Sequence, residues 1–245
     1  IRKYGNIIYH RGYRDGQRFS EEIGYCPSLF IPSKDASSEW RTLVGERPMQ
    51  KVEFDSIKEA EAFVKRYDGV AGFEIHGNMK YATQFAHEEY PDREIPWELS
   101  LIKIGSTDIE VHSDHVRGFP HPHIAQHEVV TIANTGSDNR IWCASVIPRG
   151  FEQFEIATNI DGYEVEYLPF WNEKDLLLAY LDYLEREDFD ILTGWNSDTF
   201  DFPYLYKRIE KVLSTKHAKR LSPLGIAYTR EFMKFNKTNT TVNLY

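Results

Sequence analysis

Three carboxylates in two short segments carry the most chemistry in this sequence. Thr107-Asp108-Ile109-Glu110-Val111 alternates polar and apolar residues. About ninety residues later, Leu192-Thr193-Gly194-Trp195-Asn196-Ser197-Asp198-Thr199-Phe200-Asp201 ends on a third acid. Side chains alternate along a strand, so Asp108 and Glu110 fall on one face. Asp201 follows a short apolar stretch and opens a helical pattern. Carboxylates in such places are either solvated or hold cations. Hard cations such as Mg2+ or Mn2+ prefer oxygen ligands. A pair of them can stabilise the attacking and the leaving oxygen when a phosphodiester bond is cut. In that chemistry Asp108 is suited to bridge both ions, Glu110 to complete one site and Asp201 the other. Asn196, polar at the exit of the preceding strand, is placed to orient a ligand or substrate.

The elements that must position these groups follow from periodicity. Residues 100–111 read as a strand, with Gly105 a candidate bulge. Residues 127–135 and 139–146 read as two more, joined by a hairpin turn at Gly136-Ser137-Asp138. A further strand is expected over 163–170. Asn172 then caps a helix whose buried face is Leu176, Leu177, Tyr180, Leu181 and Leu184. Residues 189–193 are short and apolar, as in a central parallel strand. Asp201-Phe202-Pro203 begins the next helix, with Pro at a favoured early position and an apolar stripe of Tyr206, Ile209, Val212 and Leu213. Three antiparallel strands, a helix, a parallel strand and a helix predict a mixed sheet flanked by helices. Asp201 then lies near the carboxyl end of a parallel strand, where ligand sites gather.

The first hundred or so residues read as a smaller α+β region. Residues 4–13 are strand-like, with Gly12 and Asp15-Gly16 as turn signals. Cys26 to Pro32 is an apolar run cut by prolines. Ser56 to Glu59 has capping-box spacing, and Ile57, Ala60, Phe63 and Val64 recur at helical spacing until Gly69. The polar, twice Pro-broken stretch from Tyr90 to Pro96 is the expected boundary, giving domains 1–98 and 99–245.

The bulk composition is that of a globular chain: 41% hydrophobic and 27% charged over 245 residues. No run of about 18 apolar residues is present, which excludes a membrane-spanning helix. Two distant cysteines, Cys26 and Cys143, fit a reducing compartment better than a disulfide framework. The net charge of −9 is unevenly spread, because residues 203–237 hold nine Lys and Arg against two Glu. Such asymmetry can draw a polyanion to a local site.

Thr107-Asp-Ile-Glu-Val111 resembles the first exonuclease motif of family-B DNA polymerases, and Asn196-x-x-x-Phe200-Asp201 resembles the second. Ile191 to Asn196, Phe200 to Tyr204 and Ala218-Lys-Arg-Leu-Ser-Pro223 are similar to the T-even-like bacteriophage members, as are Tyr25-x-Pro27-Ser28-Leu29-Phe30 and Gly118-Phe119-Pro120. The resemblance implies an α/β, ribonuclease H-like 3′→5′ proofreading exonuclease domain preceded by the family's amino-terminal domain. It implies Asp108, Glu110 and Asp201 as catalytic metal ligands for two Mg2+ or Mn2+ ions. Asn196 and Phe200 would be substrate-binding residues. Phe119 would stack on an unpaired base, a contact worth roughly 1–3 kcal/mol. The expected partners are a single-stranded DNA 3′ end, primer-template DNA and the polymerase palm, fingers and thumb, in cis or as a separate chain. A sliding clamp and RNA are further expected partners, and the expected location is the cytoplasm of an infected bacterial host.

Two departures stand out. Thr107 replaces the usual aromatic before the first Asp, which predicts altered packing under that strand. The third motif, Tyr-x-x-x-Asp, is not found after Asp201, so the sequence reads as an amino-terminal piece of such a polymerase.

Two other readings compete. His112, His115, His121, His123 and His127 lie close in sequence and suggest a zinc hydrolase, although Gly118, Pro120 and Pro122 mark a loop there. Alternatively, the amino-terminal region binds nucleic acid or a partner while the nuclease half is inert.

Overall fold

The computed structural model describes residues 1–91, 98–112, 120–148, 150, 157–234 and 237–244, with backbone alone at 234 and 237–240. The chain divides into two compact units, Ile1–Trp97 and Glu98–Tyr245.

In the first unit, β1 (Arg2–Tyr4), β2 (Ile7–Arg14) and β3 (Gln17–Gly24) form an antiparallel sheet. A second antiparallel sheet contains β4 (Ser28–Pro32), β5 (Trp40–Arg41) and β6 (Pro48–Glu53), with β6 in the middle. The strand expected over 4–13 is divided, because Gly5 at φ +57° turns the chain between β1 and β2. Asp15 and Gly16, both at positive φ, make the β2–β3 hairpin. Gly12 makes no turn. It lies inside β2 opposite Phe19, and a Cβ there would meet that ring at 3.2 Å. Helices α1 (Ile57–Tyr67) and α2 (Tyr81–Glu89) complete the unit. Ser56 caps α1 by accepting from the Glu59 N–H, and Glu59 accepts in return from the Asp55 N–H. Ile8, Leu29, Ile57 and Phe85 anchor the apolar core.

The second unit holds a six-stranded sheet of β7 (Ile104–Val111), β8 (Val129–Gly136), β9 (Arg140–Val146), β10 (Asn159–Ile160), β11 (Tyr163–Phe170) and β12 (Ile191–Thr193). Its order is β10-β11-β9-β8-β7-β12. β7, β8 and β9 form an antiparallel meander, β11 runs parallel to β9, and β12 runs parallel to β7. Helix α3 (Glu173–Glu187) joins β11 to β12, and α4 (Asp201–Val212) follows. A short α5 (Thr215–Ala218) and a hairpin of β13 (Ala227–Lys234) and β14 (Lys237–Leu244) close the chain. This is a mixed α/β sheet with helices packed on it, as a ribonuclease H-like fold requires.

Three details differ from expectation. The first strand starts at Ile104, and Leu99–Leu101 forms a 3₁₀ turn instead. The bulge lies not at Gly105 but between Glu110 and Val111, where Glu110 faces Thr131 and Val111 faces Val129. Gly105 serves close packing: a Cβ there would sit 3.0 Å from both the Phe189 ring and the Asn134 amide. Finally, β12 is an edge strand rather than a central one. With three residues it is too short to be covered on both sides, and Ile191 stays exposed.

The core between sheet and helices contains Ile109, Val129, Ile132, Trp142 and Ala144 from the strands. Leu176, Leu177, Tyr180 and Leu181 of α3 and Phe202, Leu205 and Ile209 of α4 pack with them. Asn172 caps α3 by accepting from the Asp175 N–H at 3.0 Å. The first two turns of α4 are buried nearly all round, with Tyr204 and Leu205 fully enclosed, so its apolar surface is wider than a stripe.

Candidate active site

Strand β7 has a clean two-residue alternation. Gly105, Thr107 and Ile109 are buried, whereas Ser106, Asp108 and Glu110 are exposed. Asp108 and Glu110 therefore share the face turned away from the helical core. Thr107, in the place of an aromatic, is 1% exposed and bridges by hydrogen bonds instead. Its Oγ1 accepts from Asn134 Nδ2 at 2.8 Å and pairs with the Tyr180 hydroxyl at 3.0 Å. The Tyr183 hydroxyl donates to Asn134 Oδ1 at 3.0 Å. Buried polar groups need such partners, and this set ties β7 and β8 to α3 directly under the carboxylates.

Asp201 is brought beside β7 by the early end of β12. The β7–β12 ladder stops at Ser106 and Thr193, and among the described residues no strand pairs with the β7 edge beyond it. Asp201, the first residue of α4, takes that place: its Oδ1 accepts from the Ile109 N–H at 3.3 Å. The residue is 3% exposed. Burial first, and then the charges of Asp108 and Glu110, push its carboxyl up to about 6, against hydrogen bonds from its own N–H and that of Ile109. The three acids predicted to act together thus feel one another electrostatically, and the ionised form of Asp201 is the disfavoured one.

The segment between β12 and α4 is shaped by two residues. Gly194 passes so close to β7 that a Cβ would lie 2.3 Å from the Thr107 carbonyl oxygen. Asn196 sits at φ +59°, a left-handed conformation that Asn tolerates. Its carbonyl accepts from the Thr199 and Phe200 N–H groups, and its Oδ1 from the Thr199 hydroxyl. Asn196 is exposed, with that oxygen engaged in the turn. Phe200 is half-buried, its ring 5.6 Å from that of Tyr204. Trp195 is 93% exposed. Phe119 lies outside the described residues.

The donor chemistry suits a hard divalent cation, since one buried and two exposed carboxylates repel one another at one end of β7. Among the described residues, however, no three His, Cys, Asp or Glu side chains are arranged so as to hold a metal ion. The fit is one of ligand type. The His121 and His123 rings lie 5.2 Å apart, but among the described residues the histidines form no group of three that could hold a metal, and His115 lies outside those residues.

Sequence reasoning missed a buried clamp behind the site. Arg208 Nε and Nη2 each donate to Glu173 at 2.7 Å, and Glu173 Oε1 also accepts from the Val129 N–H at 2.8 Å. Arg208 Nη1 donates to the Ala125 and Gln126 carbonyls at 3.2 and 3.0 Å. The Tyr204 hydroxyl donates to the His127 carbonyl at 2.8 Å and accepts from the His127 N–H at 3.0 Å. The only signal in the sequence was a lone Arg and Tyr on the apolar side of a helix. The basic residues after Asp201 are also less available than their number suggests. Arg208 is buried in that pair, Arg220 is bound to Asp182 and Glu185, and Lys207 to Glu210.

The sequence model of DNA polymerase family B, exonuclease domain, matches residues 75–245. The DNA-directed DNA polymerase of Escherichia phage RB69 is 31% identical over 242 residues, which cover 91% of this chain and 26% of that protein. That of Enterobacteria phage T4 is 29% identical over 244 residues, 92% of this chain and 26% of the relative. DNA polymerase 1 of Aeropyrum pernix is 32% identical over 115 residues, covering 47% of this chain and 11% of its own length. The chain spans about a quarter of the length of the two phage relatives.

Proposed function

The chain belongs to the exonuclease domain family of family-B DNA polymerases, and we propose that it removes nucleotides from DNA 3′ ends as the proofreading part of a replicative polymerase. Residues 99–245 are the nuclease domain in this reading, and 1–98 the amino-terminal domain. The carrying observation is the placement of Asp201 against the edge of β7, where it is buried and feels the charges of Asp108 and Glu110. These three carboxylates would hold two Mg2+ or Mn2+ ions. When bound, such ions activate the attacking water and neutralise the leaving oxygen. The protein's own contribution is to keep the ligands in place. The Ile109 N–H holds Asp201, the pleat of β7 aims Asp108 and Glu110 at one side, and the turn at Asn196 carries the chain from β12 to Asp201. The amide of Asn196, an exposed residue, and the ring of Phe200 are the described candidates for substrate contact, with Phe119 as the base-stacking residue.

This reading gives a single-stranded 3′ end and primer-template DNA as partners, with palm, fingers and thumb segments in cis or on another chain. A sliding clamp and RNA are secondary partners, and the infected bacterial cytoplasm is the place of work. The test is cleavage of a 5′-labelled single-stranded oligonucleotide in Mg2+. Shortening from the 3′ end, abolished by Asp108→Ala and by Asp201→Ala, is the expected result. Undiminished cleavage by either variant overturns the assignment. Metal-independent binding without cleavage, unchanged in Asp108→Ala, favours a nucleic-acid binding module.

A further inference from the structure

The clamp behind the site has a place in the chemistry that the proposed carboxylate roles do not use. Asp201, Tyr204 and Arg208 follow one another at spacings of three and four residues, so one side of α4 carries all three. The first residue supplies a carboxylate to the site. The other two hold the chain that leads into β8: Tyr204 grips both backbone polar groups of His127, and Arg208 grips the Ala125 and Gln126 carbonyls. Through Glu173, the same arginine also fixes the Val129 N–H, the first of β8. At this point β8 slips by one residue against β7. Thr131 faces Glu110, Val129 faces Val111, and Val130 is the extra residue. A bulge bends its strand and re-aims the side chains beside it. The extra residue of β8 thus lies opposite the step from Glu110 to Val111, so the start of β8 is tied to the strand position that carries Glu110.

We infer that Tyr204 and Arg208, the latter through Glu173, are positioning residues that set the aim of Glu110 relative to Asp201 by fixing the bulge opposite it. The inference rests on the proposed reading of these carboxylates as a hydrolytic site. Helix α4 then supplies one ligand directly and aligns another from behind, so the two cannot drift independently.

Tyr204→Phe removes a single hydroxyl and keeps the ring. Arg208→Lys keeps the charge beside Glu173 and loses both the forked pair to that carboxylate and the Nη1 bonds to the Ala125 and Gln126 carbonyls. In Tyr204→Phe the His127 amide should exchange its hydrogen faster. In both variants kcat for 3′-end cleavage should fall by about ten- to a hundredfold, the range expected for a small misplacement of a reacting group. KM for the oligonucleotide should stay within about twofold in both and the melting temperature within a few degrees in Tyr204→Phe; Arg208→Lys, which strands buried acceptors, should melt lower, and its kcat is read well below its own melting temperature. Faster exchange at His127 with unchanged kcat overturns the inference. So does a raised KM at constant kcat, which would assign these residues to substrate binding, or unchanged kcat in Arg208→Lys. A wild-type protein that cleaves nothing overturns the functional reading first, and is recognised before any substitution is made.

Discussion

Asp201 is the residue where stability and function pull apart. Its carboxyl titrates at about 6 in the fold against an ordinary 3.8, so the ionised form destabilises the metal-free protein. The sign follows from linkage: the penalty is absent below the ordinary value, grows as pH rises between the two, and is complete above the higher one. With divalent ions removed by chelation, Asp201→Asn should therefore raise the melting temperature at pH 8, by the equivalent of about 2–3 kcal/mol. The gain should shrink to roughly half at pH 5, where the wild-type carboxyl is mostly protonated. A variant less stable than wild type at pH 8 would contradict the electrostatic account. Thr107 makes the complementary case. Thr107→Val keeps the shape but strands Asn134 Nδ2 and the Tyr180 hydroxyl, which should lower stability by about 1–3 kcal/mol in denaturant unfolding. The shared strand face of Asp108 and Glu110 and the place of Asp201 at a helix start were legible in the sequence, from a two-residue alternation and a strand-helix junction. The bonds around Thr107 were not, because they join residues 27 and 73 positions away.

Among the elements, the segment from β12 to α4 is the most constrained. Gly194→Ala would place a methyl group against the Thr107 carbonyl, so either β7 or the Asn196 turn must move. Overpacking of this kind costs about 1–3 kcal/mol. Because the displaced segment leads directly into Asp201, cleavage should fall by much more than stability does. Comparing the melting temperature with the cleavage rate of the folded variant checks this, and proportional losses would sink it. Helix α3, its Asn172 cap and its buried face were readable from spacing alone. The position of β12 was not, since a short apolar run looks the same at the centre of a sheet and at its edge. The bulge escaped for a related reason: Gly105 carries the sequence mark of a bulge, whereas Glu110 and Val111 carry none. The contacts that pin the start of β8 there come from α3 and α4 and leave no local signature in the sequence.

At the scale of the molecule, each unit has its own apolar cluster, one around Ile57 and Leu29 and the other around Trp142 and Tyr180. Each is expected to unfold cooperatively by itself. Residues 98–245 expressed alone should melt in one cooperative calorimetric transition, and a broad melt without a heat-absorption peak would refute this. The mixed α/β class came from the order of strands and helices, whereas the fate of the basic residues after Asp201 did not. A charge count sees nine cations in that stretch, and only the fold shows that Arg208 and Arg220 are already neutralised by α3. The placement of the tryptophans has a practical corollary. Trp142 is enclosed and stacked 4.6 Å from Tyr183, while Trp195 stands in solvent six residues before Asp201. Their emission reports different events. Trp142 should shift to the red only when the core opens. Trp195 should emit further to the red, be open to iodide and, under the proposed function, be quenched by a nucleobase arriving at the neighbouring carboxylates. With Trp40, Trp97 and Trp171 replaced by Phe, the remaining two would serve as one optical probe for folding and another for occupancy.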